Sequence, residues 1–395
     1  MNLKCNLKSK APKAFPAHLS PRKRGSRTLI RFFVFALLFS CLSGLPAEAA
    51  AKKEKPLKAP KYPRKSVWIN SNPLSPKNFK GKTTLVYFWD YTSINCIREM
   101  DTLKNWYEVY HPYGFEMVWI HAPEFDFAKQ KENVENAIKR LQITSPVVLD
   151  NDFKLWDAYK VRSWPTKILV NSQGVVEHTR AGEGHYRDTE KNIRKALKLL
   201  NPEVVLPETV FRKEPYNFSL KRCGPMTAET YVGSKRSNWW GGSIANDQWV
   251  NDDKATFFKD RGQRVERGFF LHGMWESHGD DFEHARQTDE LTDYLGLVYL
   301  ANEVYAMMRP KDKTAESRIY VTRDESPVPA EQRGVDLHVD EEGGTYFVME
   351  EPRLYYLIQD EDEEPHELRL WTRAAGVSVH SFSFSNTCLS EFEHH

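Results

Sequence analysis

Thr83-Thr84-Leu85-Val86-Tyr87-Phe88-Trp89-Asp90-Tyr91-Thr92-Ser93-Ile94-Asn95-Cys96-Ile97-Arg98 is the stretch on which the reading of this chain turns. Thr83 to Asp90 is an apolar run rich in β-forming residues and without alternation, the pattern of a strand covered on both faces. From Ser93 to Tyr110 the spacing becomes helical, with Cys96, Met100, Leu103, Trp106, Tyr107 and Tyr110 on neighbouring turns. The junction is therefore the N-terminus of a helix, where free amides and the positive end of the dipole favour an anion. A cysteine at such a place is the residue type whose thiolate does nucleophilic chemistry. Cys96 is the candidate reactive group, and Ser93 is expected to cap the helix through its hydroxyl oxygen.

Strand and helix alternate outward from this point. Phe115 to His121 reads as a strand, Asn133 to Leu141 as a helix and Pro146 to Leu149 as a short strand, and Trp156 and Tyr159 fall on a short helix. Lys167 to Val170 and Val175 to Arg180 flank Asn171-Ser172-Gln173-Gly174, which has hairpin turn chemistry. Thr189 to Leu200 closes the unit as an amphipathic helix, so one α/β domain is expected. Asn201 to Pro207, with two prolines, reads as a boundary. Beyond it, short segments separated by turn residues indicate an all-β sandwich or jelly roll: Arg318 to Val321, Val335 to Val339, Thr345 to Met349, Arg353 to Ile358, Glu367 to Trp371 and Val377 to Phe384. Asp360 to Glu364 is an acidic run with the character of a solvated loop.

The chain of 395 residues has a formal charge of +2, but residues 1–49 hold nine of the 56 Lys and Arg and one of the 54 Asp and Glu. The remainder carries 47 basic against 53 acidic residues, a charge of −6, and so has no general electrostatic reason to bind nucleic acid or anionic lipid. Residues 1–49 combine a basic lead with an apolar run from Phe32 to Leu45 and end in Ala47-Glu48-Ala49, a signal-peptidase pattern. Cleavage near Ala50, an uncleaved membrane anchor, and lipidation at Leu38-Phe39-Ser40-Cys41 are the alternatives. Each of them means export, to the periplasm or as a secreted protein. Residues 50–66, rich in Lys and Pro, read as a flexible tether, residues 67–200 as the α/β domain, residues 201–218 as a linker and residues 219–395 as the β domain. Cys96, Cys223 and Cys388 remain after removal of the leader, an odd number in an oxidising compartment.

Several of these segments together resemble the soluble part of DipZ-type proteins, relatives of the TlpA thioredoxin-like group. They are Tyr91 to Cys96, His121-Ala122-Pro123-Glu124-Phe125, Leu149 to Phe153, Trp164-Pro165 and Gly182-Glu183-Gly184-His185-Tyr186. In the second part, Glu229 to Gly233 and Leu354 to Phe384 carry a looser match. The resemblance implies a thioredoxin fold followed by a carbohydrate-binding-module-like jelly roll. It implies a cis-proline at Pro165 lying against the thiol, with Trp89, Tyr91 and Trp164 along the substrate groove. The family motif is Ser-Cys-Ile-Asn-Cys where this chain has Thr92-Ser93-Ile94-Asn95-Cys96, so the attacking cysteine is replaced by Ser93. A serine hydroxyl cannot serve as a thiolate at neutral pH.

The function expected is that of an exported thiol-redox protein acting through Cys96, in thiol-disulfide exchange or as a peroxide-reactive thiol, with Ser93 and Pro165 completing the site. The alternative is a redox-inactive binding scaffold. Ser-x-x-Cys also resembles the Thr-x-x-Cys of peroxiredoxins, but Trp89 stands where that pattern has proline. Arg98 would favour a thiolate if it faced the thiol, and is otherwise a surface residue. Expected partners are protein thiols or disulfides, a separate membrane electron donor, and a glycan at aromatic residues among Trp239, Trp240, Trp249, Trp275 and Trp371. No cofactor is called for, since no glycine-rich phosphate loop or hydrolase elbow is present. His272, His278 and His284 near Asp280, Asp281 and Glu283 lack metal-ligand spacing, so no metal site is assigned.

Cys223 and Cys388 bracket the β domain, and a disulfide between its first and last strands is favoured over two free thiols. Peptide mapping without reduction is expected to find Cys223 linked to Cys388 and Cys96 unlinked. A Cys96–Cys223 linkage would overturn the domain division.

Overall fold

The computed structural model describes residues 57–210, 225–236, 243–265, 267–312, 317–362 and 364–386. Cys223, Cys388, Trp239, Trp240 and the leader lie outside them.

The first part is an α/β thioredoxin fold. Its strands are β1 (Trp68–Ile69), β2 (Thr83–Trp89), β3 (Phe115–His121), β4 (Val147–Leu149), β5 (Thr166–Val170) and β6 (Val176–Ala181). Its helices are α1 (Ile94–Tyr110), α2 (Lys131–Arg140), α3 (Lys154–Ala158) and α4 (Tyr186–Leu200). The strands form one mixed sheet in the order β1-β4-β3-β2-β5-β6, with β2, β3 and β4 parallel and β5 antiparallel to β2. Every residue of β2 is buried, as its unbroken apolar run requires. Successive side chains go to opposite faces. Leu85, Tyr87 and Trp89 join a core with α1, α2 and α4, whereas Val86 and Phe88 pack with Leu155, Tyr159 and Val161. The β5–β6 hairpin closes as its residues predict: Asn171 Oδ1 accepts the backbone amides of Gln173 and Val175 at 3.0 Å each, and Gly174 takes a positive φ of 76°.

The second part is all-β. It opens with the short strands β7 (Thr230–Tyr231), β8 (Ser243–Ile244) and β9 (Thr256–Phe258). Then come β10 (Gly268–Ser277), β11 (Phe282–His284), β12 (Asp293–Tyr299), β13 (Glu303–Pro310), β14 (Ser317–Arg323) and β15 (Ser326–Pro327). The last are β16 (His338–Val339), β17 (Thr345–Met349), β18 (Arg353–Gln359), β19 (His366–Thr372) and β20 (Val377–Ser385). Ten of them run in one hydrogen-bonded path, β16-β17-β14-β19-β12-β10-β11-β20-β13-β18, with β15 on β14, β7 on β20, and β8 and β9 on β10, and the sheet curls around its own core. β10 and β12 at its centre, and β13, are not among the strands the sequence indicates. β12, β13 and the first half of β10 are buried almost end to end, so the polar alternation that marks a half-buried strand is missing there.

Three other expectations need correction. Residues 57–66 are not a free tether: Ala59 N donates to Gly174 O at 2.8 Å, Val176 N donates to Leu57 O at 2.8 Å, and Tyr62 packs edge-on against Trp68. The first residues of the linker are likewise held on α4, with Val210 N donating to Glu190 Oε1 at 2.7 Å. The acidic run is only partly solvated, because Asp360 pairs with the buried Arg323 at 2.5 Å.

The two parts share a core. Tyr231, Tyr305, Met307 and Leu354 belong to the same apolar cluster as α1 and the loop after β3. His380 of β20 lies against Phe125 and Phe127 at ring-centroid distances of 5.2 and 4.8 Å. Its Nδ1 is 3.1 Å from Asp280 O and its Nε2 3.6 Å from Asp281. Burial holds its pKa down to about 4, with Asp281 opposing and Arg309 and Arg236 assisting. A histidine depressed in this way contributes stability that is present above its ordinary pKa of 6.5 and is lost as pH falls through about 4. Urea midpoints should therefore fall between pH 6.5 and pH 4, and His380→Phe should flatten part of that fall. A profile as steep in the variant would show that the junction does not depend on this ring.

Candidate functional site

The site is built by a turn around one buried carboxylate. Asp90, at the end of β2, is fully buried and accepts the amide of Thr92 at 3.1 Å through Oδ1 and that of Glu124 at 2.5 Å through Oδ2. His121 Nε2 lies 3.2 Å from Oδ1. The chain then enters α1 with Ser93 as N-cap, at φ −95° and ψ 116°. Contrary to expectation, the Ser93 hydroxyl does not cap the helix. The amide it would satisfy, that of Cys96, already donates to the Ser93 carbonyl at 3.1 Å, as does that of Ile97.

Cys96 is a free thiol and fully buried. Burial raises its pKa well above the ordinary thiol value, outweighing the Asp90 backbone and the Ser93 hydroxyl, which favour the anion. The charges of Asp90 and Glu99 raise it further. The thiolate that the helix N-terminus would favour is thus suppressed by lack of solvent.

One turn along α1, Glu99 pairs with Lys167, both side chains fully buried. Gly184 N donates to Glu99 Oε1 at 2.8 Å, and Lys167 Nζ donates to Gly182 O at 3.1 Å. Burial pushes the Glu99 pKa up to about 7 despite Lys167. This pair was missed in the sequence, where its one signal is a lysine inside the apolar strand Thr166–Val170. Arg98 is a further correction, since its side chain is 9% exposed and does not face solvent. It grips Glu183 through Nε at 3.0 Å and Nη2 at 2.8 Å and lies 4.0 Å from Glu303 of the β domain.

The Trp164–Pro165 peptide is cis, Pro165 is buried, and its carbonyl accepts Gly182 N at 2.8 Å. Of the expected groove residues, Trp164 is half-buried, with Nε1 donating to Ala122 O at 2.9 Å. Trp89 and Tyr91 are fully buried. Trp89 packs edge-on against Trp119 and His121, and Tyr91 stacks on His121 at 5.6 Å, so both are core residues here. In the β domain Trp275 is buried, Trp249 is 83% exposed and Trp371 packs on Tyr294 at 4.3 Å. His278 and His284 are tied to different carboxylates, Asp281 and Asp293, and His272 stacks on Tyr294. Among the described residues the group with metal-ligand proximity is Asp360, Asp362 and His366, and Arg323 occupies it as the cation.

Residues 58–197 match the Redoxin family, and residues 227–385 match the family described as a thioredoxin-like C-terminal domain. The DipZ proteins of Mycobacterium bovis and Mycobacterium tuberculosis are each 31% identical over 266 residues, covering 66% of this chain and 36% of theirs. This chain carries a Redoxin domain followed by a thioredoxin-like C-terminal domain, and over these it is similar to the DipZ proteins. Sporulation thiol-disulfide oxidoreductase A of Bacillus subtilis is 25% identical over 149 residues, 38% of this chain and 87% of that one. The chain spans about a third of the length of the DipZ proteins it matches. Among its described residues no helix is long and apolar enough to cross a membrane.

Removing one partner of a buried ion pair leaves an uncompensated charge, whereas replacing both with apolar groups does not. Lys167→Met should lower unfolding free energy by about 3–5 kcal/mol. The double variant Glu99→Leu with Lys167→Met should lose much less. Urea titration checks this, and equal losses in both would show that Glu99 and Lys167 are not coupled.

Proposed function

We propose that this chain is an exported thiol-redox protein in which Cys96 is the one sulfur of the site. The observation that supports this reading is the placement of the Cys96 thiol in the first turn of α1, which directly follows the N-cap Ser93. In the reaction, the Cys96 thiolate attacks one sulfur of a substrate disulfide, a new S–S bond forms, and the other substrate sulfur leaves as a thiolate. No second thiol stands at position 93 to resolve the mixed disulfide, so resolution falls to an external thiol. The substrates are protein thiols or disulfides, and a separate donor supplies electrons. Residues 1–49 supply the export signal.

A second reading, a redox-inactive binding scaffold, rests on the complete burial of Cys96 and on the β-domain residues Tyr305 and Met307 that share its core. Alkylation with iodoacetamide between pH 7 and pH 10, quantified by mass spectrometry, separates the two. Because burial raises the thiol pKa, labelling of the native protein should be slower than that of free cysteine and should climb throughout this range. Labelling only after denaturation would leave the scaffold.

A further inference from the structure

The two faces of the first sheet are covered unequally. One carries α1, α2 and α4, whereas the other has the short helix α3, the segment before β1 and a single 3-10 turn at Pro76–Phe79. At the start of β2, the opposite end of that strand from Cys96, the thin cover leaves a pocket of about 440 Å³. Its wall is apolar, from Phe79, Val86 and Val170 together with the rings of Tyr62 and Tyr159. Within it the Thr84 residue is 3% exposed and its hydroxyl has no hydrogen-bond partner. Lys58, Lys77 and Lys80 line it as exposed residues, and none of its lining residues is acidic. Burial keeps both tyrosine hydroxyls protonated, as donors and not anions.

We propose that this pocket binds a single-chain amphipathic carboxylate, its chain on the sheet and its head group among Lys58, Lys77 and Lys80. The volume lies toward the lower end of the range of about 300–1,000 Å³ usual for ligand pockets, which suits one medium-length chain and not the two chains of a membrane phospholipid. The chain's own preceding segment, Ala51-Lys52-Lys53-Glu54-Lys55-Pro56, is the competing occupant. Its three lysines against one glutamate repel a lysine rim, whereas a carboxylate complements it.

Calorimetric titration of the full chain with decanoate, below its micelle concentration, tests the assignment. One-to-one saturation is expected, with affinity rising about three- to fourfold for each CH₂ added from octanoate to decanoate. Decyltrimethylammonium should not bind. The exposed triple substitution Lys58→Glu, Lys77→Glu and Lys80→Glu should weaken decanoate at least tenfold, and Thr84→Val should weaken it several-fold without charge change. The proposal is overturned if decanoate does not saturate, if the cation binds equally well, or if the triple variant binds unchanged. It is also overturned if decanoate binds only after residues 51–56 are deleted, which would make the pocket that segment's own seat.

Discussion

Asp90 is the interaction on which the geometry of the molecule rests. A fully buried carboxylate is costly to hold unless its lone pairs are satisfied. Asp90 meets that demand with amides from two different loops, Thr92 before α1 and Glu124 after β3. The first fixes the turn that delivers Ser93 and Cys96. The second fixes Glu124, whose carboxylate then accepts Tyr231 Oη at 2.5 Å and Arg236 Nη1 at 3.0 Å from the other domain. One side chain therefore joins the helix head to the domain junction.

The same arrangement decides the state of the thiol. A helix N-terminus stabilises an adjacent anion by a modest amount, about 0.3–1 kcal/mol at exposed sites. Burial acts in the opposite direction and more strongly, because the thiolate would have to leave water altogether. Cys96 is deep enough for burial to prevail, and the negative charges of Asp90 and Glu99 add to it. The buried Glu99–Lys167 pair beneath belongs to the same economy of few water contacts and many enforced partners.

The β domain contributes to that enclosure. Glu303 lies by Arg98 at the head of α1, Tyr305 and Met307 enter the core, and His380 is set between Phe125 and Phe127. Apolar contact supplies the adhesion, while Arg98, Glu183 and Glu303 fix the orientation, since a misplaced buried charge would lose its partners. The far side of the first sheet lacks such a cover, and the pocket at the start of β2 lies there.

The amino-acid sequence by itself determined the strand–turn–helix at Thr83 to Tyr110, the order of the first domain's elements and its closing hairpin. Those features are written in local patterns: an unbroken apolar run, a helical spacing, the Asn171 to Gly174 turn. It did not reveal β10, β12 or β13, because strands buried on both faces lose the alternation that marks them, and Gly273, Gly296 and Ala306 weaken their β character. Nor did it show that Trp89 and Tyr91 are core, that Arg98 faces a second domain, or that Glu99 finds Lys167, 68 residues away. Position 93 as serine and position 96 as cysteine are sequence facts. Whether that cysteine is a thiolate at the surface or a thiol in the core depends on solvent exclusion by residues distant in the chain, and only the tertiary structure supplies it.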